Sequence, residues 1–168
     1  MEAFTHMRPL EVGDVVVVPL HMPHSLQHGV RTIEFQTPVY ERKILSFAQK
    51  VLTQGHWDPE EGVQLMRLLP PEEQAFESVY EEPGVTCERI VDFSDFEVRR
   101  IKVDAGARHS VPVLPHYSLL MLVEGHCPVG ALSLGPEEAA IIPAECPVIL
   151  RSESADQPLV ALLALPRE

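Results

Sequence analysis

Short apolar runs separated by proline and glycine dominate the first third of the chain. Val15 to Val18 form a run of four valines that begins after Gly13-Asp14 and ends at Pro19, and a second apolar stretch covers residues 30–36. Runs of β-branched residues favour extended backbone, because their side chains pack well on a pleated surface. We therefore predict strands at 15–18 and 30–36, followed by a third apolar stretch at 43–52.

The second half of the chain shows the same pattern at higher density. The apolar runs predict six strands, at residues 87–93, 96–103, 118–124, 139–143, 147–151 and 159–165. This number of strands within residues 85–168, with almost no helical periodicity, indicates a small β-barrel, since closure of a barrel removes exposed strand edges.

One segment has helical periodicity. Asp58 suits the N-cap of a helix and is followed by proline, which is favoured at the first helical position. Val63, Met66 and Leu69 recur at a spacing of three, which places them on one helix face. We predict a helix over 58–69.

The acidic stretch after this helix suggests a boundary between two domains. Residues 71–83 contain five glutamates and read as a solvated, loop-like linker. The resulting organisation is a first domain at 1–70, an acidic linker at 71–84 and a small barrel at 85–168.

Composition and charge exclude several classes of protein. The chain has 168 residues, of which 45% are apolar and 23% charged, with a net charge of −12. Such a chain is globular, and its acidity argues against a nucleic-acid partner. No apolar run reaches the ~18 residues of a membrane span. The three cysteines form no CxxC pair, so neither a disulfide framework nor a cysteine-based zinc site is predicted. We expect a cytoplasmic protein without a membrane partner.

The spacing of Gly13, Pro19 and His24 is the most informative motif. A glycine can open a tight turn, a β-branched strand follows, and proline ends the pairing of that strand. The histidine then lies where it can bind a divalent metal ion. The pattern resembles the second cupin motif, G-x5-P-x-G-x2-H, with His21 in place of the second glycine. His21 is therefore a further candidate metal ligand, or else a side chain that alters the loop.

The order of the next residues resembles the type I phosphomannose isomerases. Residues 33–37, Ile-Glu-Phe-Gln-Thr, follow the histidine, and Arg42 follows them. The resemblance implies that His24 ligates zinc and that Arg42 stabilises the enediolate or contacts the phosphate-bearing substrate. Glu34 is a candidate substrate-binding residue, and the alternative is a strand carboxylate paired with a neighbouring side chain.

The second half resembles the C-terminal domain of the same family. The segment Leu122-Val123-Glu124-Gly125 is similar to the end of a cupin strand, and residues 137–144 are similar to the strand and turn that follow. If Pro143 is equivalent to Pro19, Val148 occupies the position of His24. Because valine cannot bind a metal, we expect residues 85–168 to form a structural barrel without metal.

The metal site implied by the resemblance is incomplete in this sequence. A zinc isomerase of the family uses a Gln-x-His pair and a glutamate that precede the glycine strand, and the twelve residues before Gly13 contain His6 but no Gln-x-His. A catalytic zinc ion needs three protein ligands. Zinc and no metal are therefore equally expected. The first cupin is partial as well, so we expect a homodimer or a piece of a longer chain.

The fold class expected from these observations is all-β, a cupin with a partial first barrel, one short helix and a small C-terminal barrel. Two functions remain open. The first is a mannose-6-phosphate isomerase-like enzyme that interconverts an aldose phosphate and a ketose phosphate. The second is a non-catalytic cupin that binds a sugar or small ligand, or serves as a dimerisation module. A cupin oxygenase is disfavoured, because no 2-His-1-carboxylate set is visible. The remaining histidines are expected in turns or at the surface: His28, His56, His109, His116 and His126.

Overall fold

A computed structural model of the protein describes residues 6–37, 43, 45, 58–69 and 75–167. The chain divides into two compact units, residues 1–73 and 74–168, and each is considered by itself. The first unit contains helix α1, Pro59–Leu65. The strands of the second unit are β1 Glu77–Glu82, β2 Val85–Asp92, β3 Phe96–Val103, β4 Arg108–Val111, β5 Ser118–Glu124, β6 Cys127–Val129, β7 Leu132–Leu134, β8 Ala139–Ile142, β9 Val148–Arg151 and β10 Leu159–Pro166.

The strands of the second unit form a jelly roll. Six strands build one antiparallel sheet in the order β1-β2-β3-β10-β5-β8, while β4 pairs with β9 and β6 pairs with β7. Strand β6 also lies close to β9, which brings the two smaller pairs together in a second layer. From β3 to β10 the chain crosses repeatedly between these two layers, as in the double-sheet jelly roll that cupins share. The expected all-β class, with a cupin barrel and one short helix, is confirmed.

The core lies between the two layers. Strand β10 contributes Leu159, Ala161, Leu163 and Leu165 to it at alternate positions, and the facing strand β9 contributes Leu150, which has no exposed surface. One face of each strand is expected to cover a shared core in this way. The barrel interior is therefore a packed hydrophobic core. Leu162 and Ala164, on the other face of β10, are buried as well.

The long strands of the barrel were predictable, and the short ones were not. Strands β3 and β5 have the predicted bounds, and β2, β8, β9 and β10 differ from prediction by one or two residues at their ends. Strands β4, β6 and β7 have only three or four residues each and include histidine, serine or proline, so apolar periodicity does not reveal them. The sheet partners on either side, which are distant in sequence, determine where they form.

The acidic segment that was predicted to be a loop contains a strand. Strand β1 pairs with β2 in an antiparallel hairpin, with Glu82 opposite Val85 and a left-handed Gly84 in the turn. Five of its six residues are exposed, and three of these are glutamates. Tyr80 alone packs against the core. An edge strand can be this polar, because only one of its faces and one of its edges meet the protein.

The first unit differs more strongly from the prediction. No residue within 6–37 lies in a strand, so the strands predicted at 15–18 and 30–36 are wrong. Val16 is 47% exposed and Val18 37% exposed. A strand needs a pairing partner and an apolar layer to cover it, and a run of valines supplies neither. Most of the predicted apolar stretch at 43–52 lies outside the described residues.

Helix α1 begins where the sequence predicts and ends earlier. Asp58 is its N-cap, and the backbone carbonyl of Asp58 accepts a hydrogen bond from Gly62 N at 2.8 Å. The helix ends at Leu65 instead of residue 69. Val63 is 60% exposed and Leu69 is 80% exposed, so the predicted apolar face is not covered. Most of the stability of a short helix comes from packing of its apolar face, so this helix is not stabilised beyond Leu65.

Candidate functional site

The loop that contains His24 has left-handed residues at both glycine positions of the motif. Gly13 and His21 stand at the two glycine positions of the motif, and both have left-handed backbone, with φ of 97° and 66°. The amide of Met22 donates to Pro19 O at 3.2 Å and closes a turn around His21. Residues other than glycine, asparagine and aspartate rarely adopt left-handed backbone. The loop thus accepts a histidine where the motif has glycine without losing its turn.

His24 is exposed and oriented by its own loop. Its Nδ1 lies 2.8 Å from the carbonyl oxygen of Met22. A carbonyl can only accept, so Nδ1 carries the proton and Nε2 is the ring nitrogen that can bind a metal ion. His21 is exposed as well, and its carbonyl oxygen accepts a hydrogen bond from Arg67 N at 2.8 Å.

The other predicted site residues do not complete a metal centre. Glu34 is exposed, and Arg42 lies outside the described residues. Within residues 6–37, 43, 45, 58–69 and 75–167, no group of three or more histidine, cysteine, aspartate or glutamate side chains could hold a metal ion. A catalytic zinc ion needs three protein ligands, and His24 is one. The described residues therefore do not fit the zinc centre that the resemblance implies.

The barrel has left-handed residues at the same two positions relative to a proline. Glu137 and Glu145 have φ of 68° and 60°, six residues before Pro143 and two residues after it. These are the two glycine positions of the motif, which supports the alignment of Pro143 with Pro19. Val148 then occupies the ligand position, and only 7% of its surface is exposed.

The space beside Val148 is small. A cavity of about 10 Å³ lies there, roughly the room that the centre of one water molecule requires. Most of its lining is apolar, including Val111, Leu120 and Val148, and its polar lining side chains are His116, Ser118 and Cys146. A binding pocket for a drug-sized ligand has ~300–1,000 Å³. The interior of this barrel therefore does not have room for a sugar phosphate.

A buried polar cluster lies elsewhere in the barrel, where strands β1, β2 and β4 meet the core. The hydroxyl of Tyr80 lies 2.6 Å from Nε2 of His109, and the two rings stack at a centroid distance of 5.0 Å. His109 is 7% exposed, so the expectation that it lies at the surface or in a turn is wrong. His109 and Val111 lie two residues apart and therefore on the same face of β4, which is the one signal in the sequence that His109 is buried. That signal can be used only if the short strand β4 is already known.

The protonation states in this cluster are those of a structural group. Burial lowers the pKa of His109, and burial also raises the pKa of Tyr80 and of Cys87. At neutral pH, His109 is uncharged, and the Tyr80 phenol and the Cys87 thiol keep their protons. A reactive cysteine needs a lowered pKa. The cluster thus contains neither a thiolate nor a charged acid–base pair.

An ion network closes one end of the six-stranded sheet. Glu97 is 6% exposed and accepts hydrogen bonds from Arg99 Nε at 2.5 Å and Arg167 Nη2 at 2.8 Å. Burial raises the pKa of Glu97, but these hydrogen bonds outweigh burial, and its pKa is lowered overall. Arg167 also donates to Phe93 O, so the network fastens the end of β10 to the β2–β3 turn. Its role is structural.

Comparison with known proteins gives structural neighbours only. No protein-family model matches the chain, and no curated protein matches it. The chain is similar in structure to the polyketide cyclase RemF from Streptomyces resistomycificus, with 20% identity, 56% of this chain and 74% of that chain covered, and a TM-score of 0.46. It is also similar to the cupin-2 domain protein Rru_A2000 from Rhodospirillum rubrum (21%, 56%, 70% and 0.45) and to KdgF from Halomonas sp. (20%, 56%, 90% and 0.43). The described residues contain no helix long and apolar enough to cross a membrane.

Proposed function

We propose that residues 74–168 form a non-catalytic cupin module that acts through its surface. The filled interior carries this proposal. Leu120 and Leu122 have no exposed surface, and the cavity beside Val148 has room for about one water molecule. Cupin chemistry in the barrel interior would need polar ligands and open space, and this interior supplies apolar side chains in close contact.

The buried titratable groups support the same proposal. His109 and Tyr80 satisfy each other, and Glu97 is held by two arginines. Among the described residues, no buried side-chain nitrogen or oxygen lacks a hydrogen-bond partner. An active site commonly keeps a polar group available for its substrate, whereas a structural core satisfies each one internally.

The test measures metal, turnover and ligand binding on the full chain. We expect substoichiometric zinc by mass spectrometry after purification with and without added ZnCl₂. We also expect no conversion of mannose 6-phosphate to fructose 6-phosphate above the buffer rate. Melting temperature should not change with mannose 6-phosphate at millimolar concentration, since a ligand that binds the folded state stabilises it. One zinc per chain with measurable turnover would overturn the proposal.

The second candidate function is the sugar-phosphate isomerisation that the sequence resemblance implies. It is favoured by the left-handed backbone at both Gly13 and His21 and by the Nδ1 bond that leaves Nε2 of His24 for a metal ion. A zinc ion would polarise the carbonyl and hydroxyl oxygens of the sugar. His24 would serve as one of its ligands, His21 as a further ligand, and Arg42 and Glu34 as groups that contact the substrate.

A pair of histidine variants separates the two functions. His24→Ala should abolish zinc retention and turnover if the isomerase function is correct. His28→Ala is the matched control, because His28 is exposed in the same loop. If neither variant changes metal content or activity, the non-catalytic function stands.

A further inference from the structure

Most arginines of the second unit are held by carboxylates. Four of its six arginines form ion pairs with glutamate or aspartate: Arg89, Arg99, Arg100 and Arg167. The other two are Arg108 and Arg151, and neither guanidinium has an ion pair among the residues that the structure describes. The chain has a net charge of −12, so carboxylates that could pair with them are plentiful. The two exceptions therefore stand out.

The two arginines without a carboxylate are cross-strand partners of each other. The register of β4 with β9 places Arg108 directly opposite Arg151, and both are exposed. His109 and Leu150, the adjacent pair, are buried, so the arginines lie on the outer face of the two strands. Opposite residues have Cβ atoms ~4.5–5.5 Å apart, and like charges at that distance destabilise a strand pair.

We propose that Arg108 and Arg151 bind a small dicarboxylate, with one carboxylate on each guanidinium. This inference rests on the proposed function, because it names a ligand for a module that acts through its surface. The guanidinium fork of arginine matches the two oxygens of a carboxylate and donates two parallel hydrogen bonds to them. Two negative charges also remove the repulsion between the arginines, which is otherwise a cost to the pairing of β4 with β9.

The spacing of the arginines selects the length of the ligand. A carbon chain of two or three methylene groups separates two carboxyl carbons by ~4–5 Å, close to the ~4.5–5.5 Å between opposite Cβ atoms. A monocarboxylate fills one fork and leaves the other guanidinium unpaired, and a phosphate ion has to be shared between the two. The dicarboxylate is therefore the class of anion that satisfies both arginines.

The next pair of residues on the same face suits the rest of such a ligand. Ser110 and Ile149 are opposite each other, and each lies two residues from one of the arginines. Ile149 is 42% exposed and can contact the methylene groups of the ligand. The hydroxyl of Ser110, which is exposed as well, can donate a further hydrogen bond to a carboxylate oxygen.

Binding should be weak and dependent on salt. Exposed pairs of arginine and carboxylate contribute little one at a time. A short chain between the carboxylates raises the effective concentration of the second once the first is bound. We expect a millimolar Kd at ~0.1 M ionic strength and at least ~3-fold weaker binding at ~1 M, where the Debye length falls to ~3 Å.

A glutarate titration of the ¹⁵N-labelled full chain, at constant ionic strength, tests the proposal through the arginine Nε–H signals. The signals lost in Arg108→Gln and in Arg151→Gln identify the two side chains. These two signals should shift together and saturate in the wild type. Acetate and inorganic phosphate should each bind at least ~10-fold more weakly than glutarate.

The variants separate a site from general attraction of anions. Arg108→Gln and Arg151→Gln should each weaken glutarate binding by at least ~10-fold, and Arg108→Lys, which keeps the charge without the fork, by ~3-fold. Lys102→Gln is the matched control, because Lys102 is exposed on β3 and its cross-strand neighbours, Thr86 and Val160, are uncharged. It should leave the Kd within about two-fold. Melting temperature should not fall in either glutamine variant of the pair, since each removes a like charge from its neighbour.

Three results would overturn the proposal: Nε signals that do not shift with glutarate, acetate or phosphate that binds as tightly as glutarate, or equal weakening by Lys102→Gln. Metal content and isomerase turnover are measured separately and concern other residues. Zinc with turnover would overturn the proposed function and leave the glutarate titration to be judged by itself. Unshifted Nε signals in a chain without zinc or turnover would overturn this inference alone.

Discussion

Two stretches of the chain share one backbone pattern and end in opposite environments. In each, a residue with left-handed backbone precedes a proline by six positions, and a second left-handed residue follows the proline by two. The stretches contain Gly13, Pro19, His21 and His24 in the first unit, and Glu137, Pro143, Glu145 and Val148 in the second. The last residue is an exposed histidine in one stretch and a buried valine in the other.

Both stretches keep left-handed residues at the same two positions, while their surroundings decide whether a strand forms and what the last residue does. Val148 belongs to strand β9 and to the barrel core. His24 lies within residues 6–37, where no strand is present, and its ring is bonded to its own loop. A motif can therefore persist as a turn in both places while only one of them retains the side chain that could bind a metal ion.

The largest effect that distinguishes the two regions should come from truncating a leucine in each. Leu120 has no exposed surface, and Leu20 is 80% exposed. We expect Leu120→Ala to lower the free energy of unfolding by about 2–5 kcal/mol, because it leaves a cavity in a packed core. Leu20→Ala should change it by less than about 0.5 kcal/mol. Urea denaturation followed by far-UV circular dichroism measures both, and equal effects would contradict the contrast between the regions.

A reciprocal exchange at the ligand position should give the next largest effect. Val148→His places a larger, polar ring next to a cavity that holds about one water molecule, and we expect a loss of about 1–3 kcal/mol. His24→Val, at an exposed position, should be neutral within about 0.5 kcal/mol. The zinc content of Val148→His is measured as well, because His116 and Cys146 line the same cavity and could join the new histidine as ligands. Zinc binding by that variant would show that the barrel retains a latent site.

The buried histidine of the barrel gives a third and smaller contrast. Tyr80→Phe removes the hydroxyl that is hydrogen-bonded to His109 Nε2 and leaves that buried ring nitrogen without its partner. The expected loss in the free energy of unfolding is about 1–2 kcal/mol. Tyr117→Phe is the control, because Tyr117 is 52% exposed. If both variants are equally stable, the Tyr80–His109 bond does not contribute to the fold.

The same pair should give the barrel a pH dependence. Burial lowers the pKa of His109 in the folded state, so the unfolded chain binds a proton first as the pH falls below ~6.5. The contribution of neutral His109 is complete above that pH and is lost as the pH falls through the lowered, folded-state value. The free energy of unfolding at pH 7.5 and pH 5.5 should therefore differ more in the wild type than in His109→Gln. An equal difference in both would mean that His109 does not titrate on unfolding.

The sequence was sufficient for the barrel and insufficient for the first unit, for a physical reason. Strands β5 and β10 lie in apolar runs that pair with each other, so local pattern and tertiary packing agree. Val15 to Val18 have the local pattern alone, and two of them remain exposed by more than a third. Pairing partners, which lie far away along the chain, are not encoded in a window of a few residues.

The sequence predicted the ligand position of the motif, but it did not predict the buried side-chain pair in the barrel. The spacing of Pro143 and Val148 indicated a ligand position occupied by an apolar residue, and the left-handed Glu137 and Glu145 are consistent with that alignment. The Tyr80–His109 pair was not predictable, because the two residues are brought together by a hairpin and a short strand. Residue spacing within one strand predicts which side chains share a face of that strand. A contact between residues on different strands also depends on how those strands are aligned, which the spacing does not reveal.

The smallest predicted effect tests the shared backbone pattern itself. Glu145 has φ of 60°, and an L-residue in this region is strained by about 1–2 kcal/mol. Glycine removes that strain, but the added entropy of the unfolded chain costs about 0.4–1 kcal/mol, so Glu145→Gly should stabilise the barrel by at most about 1.6 kcal/mol. The bond from its amide to Leu114 O at 2.8 Å is unaffected, because glycine retains the amide.

Ala144→Gly is the matched control. Ala144 is not among the left-handed residues, so the added entropy of the unfolded chain should destabilise the barrel. Opposite signs for these adjacent positions in urea denaturation would show that the turn, and not its glutamate side chain, is what the two stretches have in common. A loss of stability in both would mean that the glutamate itself stabilises this turn.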